Sequence, residues 1–178
     1  RLLYEGIKFG LIIGLCAIGL SLIFGTTGLV NFAHSEMIVL GAVIAWFFNV
    51  TLNLHLLIAA PIAMLLGGLF AVGLDSGLWR PLRKRGTGVI AMMIVSIGLS
   101  ILMRYTLLYF YRDRRRPYAQ YAVQTDNLFE IGPVAVSPKD FFIIVISASL
   151  LVGVSLLLRY TKLGKAMRAV SDNPDLAA

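Results

Sequence analysis

Asn31-Phe32-Ala33-His34-Ser35-Glu36 places an amide, an imidazole, a hydroxyl and a carboxylate within one short stretch, between Gly25-Thr26-Thr27-Gly28 and an apolar run that resumes at Met37. Read as a helix, the spacing sets Asn31, His34 and Ser35 on one face at i, i+3 and i+4. Such groups can hold a polar solute by hydrogen bonds and charge. A metal centre is a poor fit, because one His and one Glu supply too few ligands. The two glycines predict unwound backbone, which survives at membrane depth only inside protein or along a water-filled cavity. The same residues also suit a turn at the membrane surface with His34 and Glu36 in water, and spacing leaves both readings open.

A second candidate lies near the end of the chain. Leu163, Ala166, Met167 and Val170 recur at i, i+3, i+4 and i+7, with Lys162, Lys165, Arg168 and Asp172 on the other faces. This pattern predicts an amphipathic helix that is either a basic interfacial anchor or a docking element for a cytoplasmic partner. Asn173-Pro174-Asp175 then reads as the start of a further helix, with Asn as cap, Pro at the first position and Asp in the first turn. Arg104 sits well inside an apolar run and can snorkel to an interface. Asp75 is expected to pair with Arg80. No nucleophile–base pair, phosphate-binding glycine loop or Walker-type lysine motif is present, so the chain shows no means of hydrolysing ATP itself.

The elements that position these groups follow from charge. Residues 9–35, 37–74, 86–103 and 141–158 contain no Asp, Glu, Lys or Arg, and together make up more than half of the chain. The composition is 58% hydrophobic and 14% charged, with a mean hydropathy of +0.84. A bilayer selects this division, since each charge at mid-depth costs roughly 2.5–3.5 kcal/mol. The expected architecture is therefore an all-α integral membrane bundle of about five spans, each close to the 20 or so residues a bilayer requires. The spans are Ile7 to Phe24, Leu29 to Val50, Leu56 to Trp79, Val89 to Tyr111 and Phe141 to Tyr160, with a broken helix near residues 25–36. Gly6, Gly10 and Gly14 predict close helix packing on one face of the first span.

The formal net charge of +7 does not indicate a nucleic-acid partner, because Lys and Arg cluster at the ends of apolar runs. Arg80, Arg83, Lys84 and Arg85 follow the third span, and Arg159, Lys162, Lys165 and Arg168 follow the fifth. Both clusters are expected inside and the N-terminus outside. Residues 112–140 then form an outer loop with a short hairpin, although Arg112, Arg114, Arg115 and Arg116 oppose that placement. Cys16 is the single cysteine, which rules out an intrachain disulfide.

Four segments resemble one family. Gly28-Leu-Val-Asn-Phe-Ala-His-Ser-Glu36 resembles the G-x-x-N-F-A-H-G-E segment of branched-chain amino-acid ABC transporter permeases of the LivH type. Arg80-Pro81-Leu82-Arg83 is similar to the R-P-[LV]-R after that family's third span, and Ile97-Gly98-Leu99-Ser100 to its next span. Arg159 to Val170, with Asp172 and Ala177-Ala178 beyond, resembles the approach to the cytoplasmic coupling helix. Ser35 departs from the family's usual glycine. The resemblance implies that residues 1–178 form a single but partial transmembrane permease domain, the N-terminal portion of a subunit with further spans. It implies a coupling segment at about 161–178 and a bacterial or archaeal cytoplasmic membrane.

On this reading Asn31, His34, Ser35 and Glu36 line the substrate pathway, and Gly164, Arg168, Asp172 and Asp175 contact the ATPase. The implied partners are a homologous permease subunit, two ATP-binding cassette subunits, an extracytoplasmic solute-binding protein and membrane lipid. The chain itself would bind no cofactor, with Mg-ATP held on the partner subunits. The competing expectation is an ion-coupled secondary transporter or channel fragment, which would usually place carboxylates inside its spans. A structural membrane subunit without a pathway of its own is the third.

Overall fold

The structure is a computed structural model and describes residues 2–111, 117–119, 129–131 and 134–172. Five helical stretches are long and apolar enough to cross a membrane: Leu2–Thr27, His34–Thr51, Leu56–Lys84, Val89–Tyr111 and Asp140–Tyr160. The chain divides into two compact units, one formed by Arg1–Gly28 with Gln124–Ala178 and the other by Leu29–Val123.

The first unit contains α1 (Leu2–Thr27), then β1 (Phe129–Ile131) and β2 (Val134–Val136), then α6 (Pro138–Tyr160) and α7 (Lys162–Asp172). The two strands pair antiparallel, with Glu130 opposite Ala135, as the expected hairpin. Helix α1 starts several residues before the apolar run. Its early charges are neutralised locally: Lys8 Nζ lies 2.7 Å from Glu5 and 3.0 Å from Asp140. Ser137 caps α6, its hydroxyl accepting from the Asp140 N–H at 3.3 Å, with Pro138 at the first helical positions. A Cβ on Gly14 would stand 3.8 Å from the Leu151 side chain, whereas Gly6 and Gly10 face open space. Of the expected glycine face, therefore, only Gly14 meets α6. Lys8 with Asp140 and Gly14 with Leu151 fix α1 and α6 as parallel.

The second unit contains α2 (His34–Trp46), α3 (Leu56–Leu74), α4 (Arg80–Lys84) and α5 (Val89–Tyr111). Helix α2 widens into a π turn at Phe47–Thr51, and a second π turn at Asp75–Trp79 joins α3 to α4 in one continuous span. The polar cluster after α2 is structural. Asn49 is fully buried, donates to the Leu54 carbonyl at 2.8 Å and accepts from the Ala119 N–H at 2.8 Å. His55 caps α3, its Nδ1 accepting from the Leu57 N–H. Asp75 accepts from Arg80 at 2.6 Å and from Arg83 at 2.5 Å, so the expected pair is a three-residue cluster. Leu29, Trp79 and Met92 form the buried core, flanked by Leu74, Leu78, Leu82, Met93, Val95 and Leu99.

Candidate functional site

The break between α1 and α2 is shorter and later than the glycines suggest. Gly25 and both threonines stay helical, Thr26 and Thr27 donating their hydroxyls to the Ile23 carbonyl and Thr26 also to Leu22. The chain departs at Gly28, whose φ of +64° is cheap only for glycine and whose N–H still bonds the Phe24 carbonyl at 2.8 Å.

Leu29 to Ala33 then runs non-helically, and several of its polar groups find partners within the second unit. Asn31 is buried, and its Oδ1 accepts from the Ala33 N–H at 3.1 Å, closing a local turn. The Asn31 carbonyl accepts from the His34 N–H at 3.1 Å, which starts α2. The Phe32 N–H donates 3.1 Å to the hydroxyl of Ser96, a fully buried residue that gives its own proton to the Met93 carbonyl at 2.7 Å. One side-chain oxygen on α5 thereby takes a backbone donor of the unwound stretch.

That contact also sets depth. Ser96 is seven residues into α5, about 10 Å from its start at 1.5 Å per residue. The unwound stretch therefore lies alongside the interior of a span rather than at its end. Trp46 and Tyr111 meet edge-to-face at 6.1 Å, so α2 and α5 run parallel, fastened at Phe32–Ser96 and again at Trp46–Tyr111.

Between those fastenings is a groove of about 360 Å³ lined by Glu36, Val39, Val43, Arg104, Leu107, Leu108 and Tyr111. Of the four residues expected to form the pathway, Glu36 lines it, whereas Asn31 is committed to its own turn. His34 is half-buried and Ser35 exposed, and neither lines the groove. Because Asn31 precedes the helix, it does not share a helical face with His34 and Ser35 as the spacing predicts. Arg104 is the group that sequence reasoning set aside as snorkelling. The missed signal is periodic: Arg104, Leu107, Leu108 and Tyr111 fall at i, i+3, i+4 and i+7 on α5, facing Glu36, Val39 and Val43 on α2.

The second candidate region is the corner between α6 and α7 in the first unit. Thr161 is extended, and its hydroxyl donates to the Leu157 carbonyl at 2.6 Å and accepts from the Gly164 N–H at 3.1 Å. Gly164 is buried, and a Cβ there would collide with Leu158 Cα and with the carbonyl oxygens of Leu157 and Leu158. Arg168 reaches back to the Arg159 carbonyl at 3.4 Å. The apolar face of α7 is open, with Leu163 71% and Met167 36% exposed. Asp172 ends α7, and Asp175, like the Asn173-Pro174 helix start, lies outside the described residues.

Residues 2–178 match a protein family described as the permease component of branched-chain amino-acid transport systems. Among similar curated proteins is the high-affinity branched-chain amino-acid transport system permease protein BraD of Pseudomonas aeruginosa, 25% identical over 96% of this chain and 58% of the relative. The permease protein LivH of Salmonella typhimurium is 23% identical over 99% of this chain and 60% of its own length. The probable LivH permease of Methanocaldococcus jannaschii is 28% identical over 99% of this chain and 56% of its own length. The chain thus spans less than two thirds of each of these relatives. No solved structure matches it.

Proposed function

We propose that this chain, which belongs to the family of branched-chain amino-acid transport permease components, acts as membrane-spanning permease of an ATP-driven importer for branched-chain or related small amino acids. Five membrane-capable helices and that membership make it a multi-pass protein of the inner membrane. The observation that carries the reading is the family match over residues 2–178, supported by similarity to bacterial and archaeal permeases along nearly the whole chain.

In this reading residues 1–178 belong to one transmembrane permease domain. ATP hydrolysis belongs to two ATP-binding cassette subunits, which hold Mg-ATP. A homologous permease subunit supplies the facing half of the pathway, and a solute-binding protein delivers substrate from outside. Nucleotide closure is relayed through α7 to the spans as alternating access. Gly164 holds α7 against α6, while Arg168, Asp172 and Asp175 meet the ATPase. Asn31 shapes the unwound backbone, and His34, Ser35 and Glu36 line the route beside it.

The test is reconstitution of the complete subunit with its partners in proteoliposomes. ATP-dependent accumulation of labelled leucine is expected. Uptake driven by an ion gradient without ATP would replace this reading with a secondary transporter. For the coupling role, Arg168→Glu should lower transport-stimulated ATPase activity about ten-fold, the loss of one charge-assisted contact. Unchanged stimulation would remove Arg168 from the interface.

A further inference from the structure

Glu36 and Arg104 carry opposite charges into one groove otherwise walled by Val39, Val43, Leu107 and Leu108. Both lie deep. Glu36 lies in the first turn of α2, four residues after the Phe32 that meets Ser96, and Arg104 lies eight residues beyond Ser96 on the parallel α5. Arg104 is also seven residues, about 10 Å, short of the end of α5 at Tyr111. Among the described residues neither takes part in an ion pair or hydrogen bond. Two unlike charges at depth ordinarily close on each other, because separation in a low dielectric is costly. Here they flank an apolar wall instead.

We propose that this groove is a binding site for a zwitterionic α-amino acid with an aliphatic side chain. Arg104 takes the carboxylate, Glu36 takes the ammonium, and the side chain rests on Val39, Val43, Leu107 and Leu108. The geometry suits this occupant. A zwitterion offers one group to each charge: its carboxylate can accept a charge-assisted hydrogen bond of about 2.7–2.9 Å from Arg104, and its ammonium can donate one to Glu36. The guanidinium matches a carboxylate in two parallel hydrogen bonds, and the carboxylate of Glu36 accepts from an ammonium. A bound zwitterion leaves no net charge in the groove, so its own charges complete the pairing that the protein leaves open. The branched apolar wall accommodates an aliphatic side chain and offers no partner to a polar one, whose burial would leave its groups unsatisfied.

This inference rests on the permease reading and deepens it. The test uses the complete subunit in membranes, with cysteine introduced as Val43→Cys and Cys16 replaced by Ser. The groove position is labelled with a small membrane-permeant maleimide. Leucine should protect Cys introduced at 43 from labelling. Leucinamide, which lacks the carboxylate, and 4-methylpentanoate, which lacks the ammonium, should not protect it. Adding Glu36→Gln or Arg104→Gln should abolish protection by leucine. Equal protection by either analogue, protection that survives both substitutions, or no protection by leucine overturns the proposal. In the assembled transporter each substitution should also reduce leucine uptake about ten-fold or more, as expected for loss of one charged partner of a ligand. Uptake within two-fold of the parent in both variants overturns the site while leaving the permease intact. Failure of the unmodified complex to take up leucine at all with ATP overturns the permease reading itself, so the two failures are distinguishable.

Discussion

The chain leaves helical geometry at Gly28–Ala33 and again at Thr161, and the two turns are built from opposite materials. At the first, polar backbone faces inward. The Phe32 N–H is held by Ser96 on a different helix, and Leu29, Asn31 and Ala33 are buried. At the second, the tight contact is between α7 and the last turn of its own predecessor, Gly164 against the Leu157–Leu158 backbone. Around that corner Lys162, Lys165 and Arg168 are exposed. The first turn is thus defined by a neighbour and is suited to framing a groove. The second is defined by the close approach of α7 to the end of α6, with α7 also packed beside α1 through Ser171 and Gly25.

The contrast can be broken most severely at Gly164. A side chain at Gly164→Ala would press on backbone atoms, which cannot rotate away, so about 1–3 kcal/mol of stability should be lost. Thermal unfolding of the purified subunit in detergent should show a lower Tm, with ATP-driven uptake falling in parallel. An unchanged Tm would mean that the corner is not close-packed.

Ser96→Ala tests the first turn by the opposite route, removing an acceptor instead of adding bulk. The part-buried Phe32 N–H would lose its acceptor, at a cost of about 1 kcal/mol if water replaces it and up to about 3 kcal/mol if not. Hydrogen exchange at residues 29–34 should accelerate, while exchange in α7 should not. Acceleration in both regions would show that the turns are not independent.

The smallest effects separate the two glycines flanking Thr26 and Thr27. Gly28→Ala forces a side chain into left-handed backbone and should cost about 1–2 kcal/mol. Gly25→Ala sits in a helix, with its new Cβ 3.4 Å from the Ser171 hydroxyl, and should be neutral or stabilising by up to about 1 kcal/mol. Equal destabilisation by both would contradict a break that begins at Gly28.

Much of the fold was legible because charge and apolar runs report spans directly. Val89 to Tyr111 matches α5 residue for residue, and the amphipathic pattern at Leu163 to Val170 lies within α7. What sequence could not show depends on partners remote along the chain. Helix α1 begins early because Lys8 is neutralised by Asp140, a residue 132 positions away. Helix α2 begins at His34 rather than Leu29 because packing on Ser96 holds Leu29 to Ala33 out of helical geometry. The candidate site was half legible for the same reason. Glu36 stood out as a carboxylate after a break, whereas Arg104 became informative only once α2 and α5 were placed side by side.

The two fastenings between α2 and α5 carry a mechanical consequence. Sliding one helix along the other would strip the Phe32 N–H of its acceptor and would unseat the edge-to-face pair of Trp46 and Tyr111. Both walls of the groove must therefore travel together as a single rigid plate. Access to Glu36 and Arg104 is then set by what lies over that plate and not by slippage between its two helices.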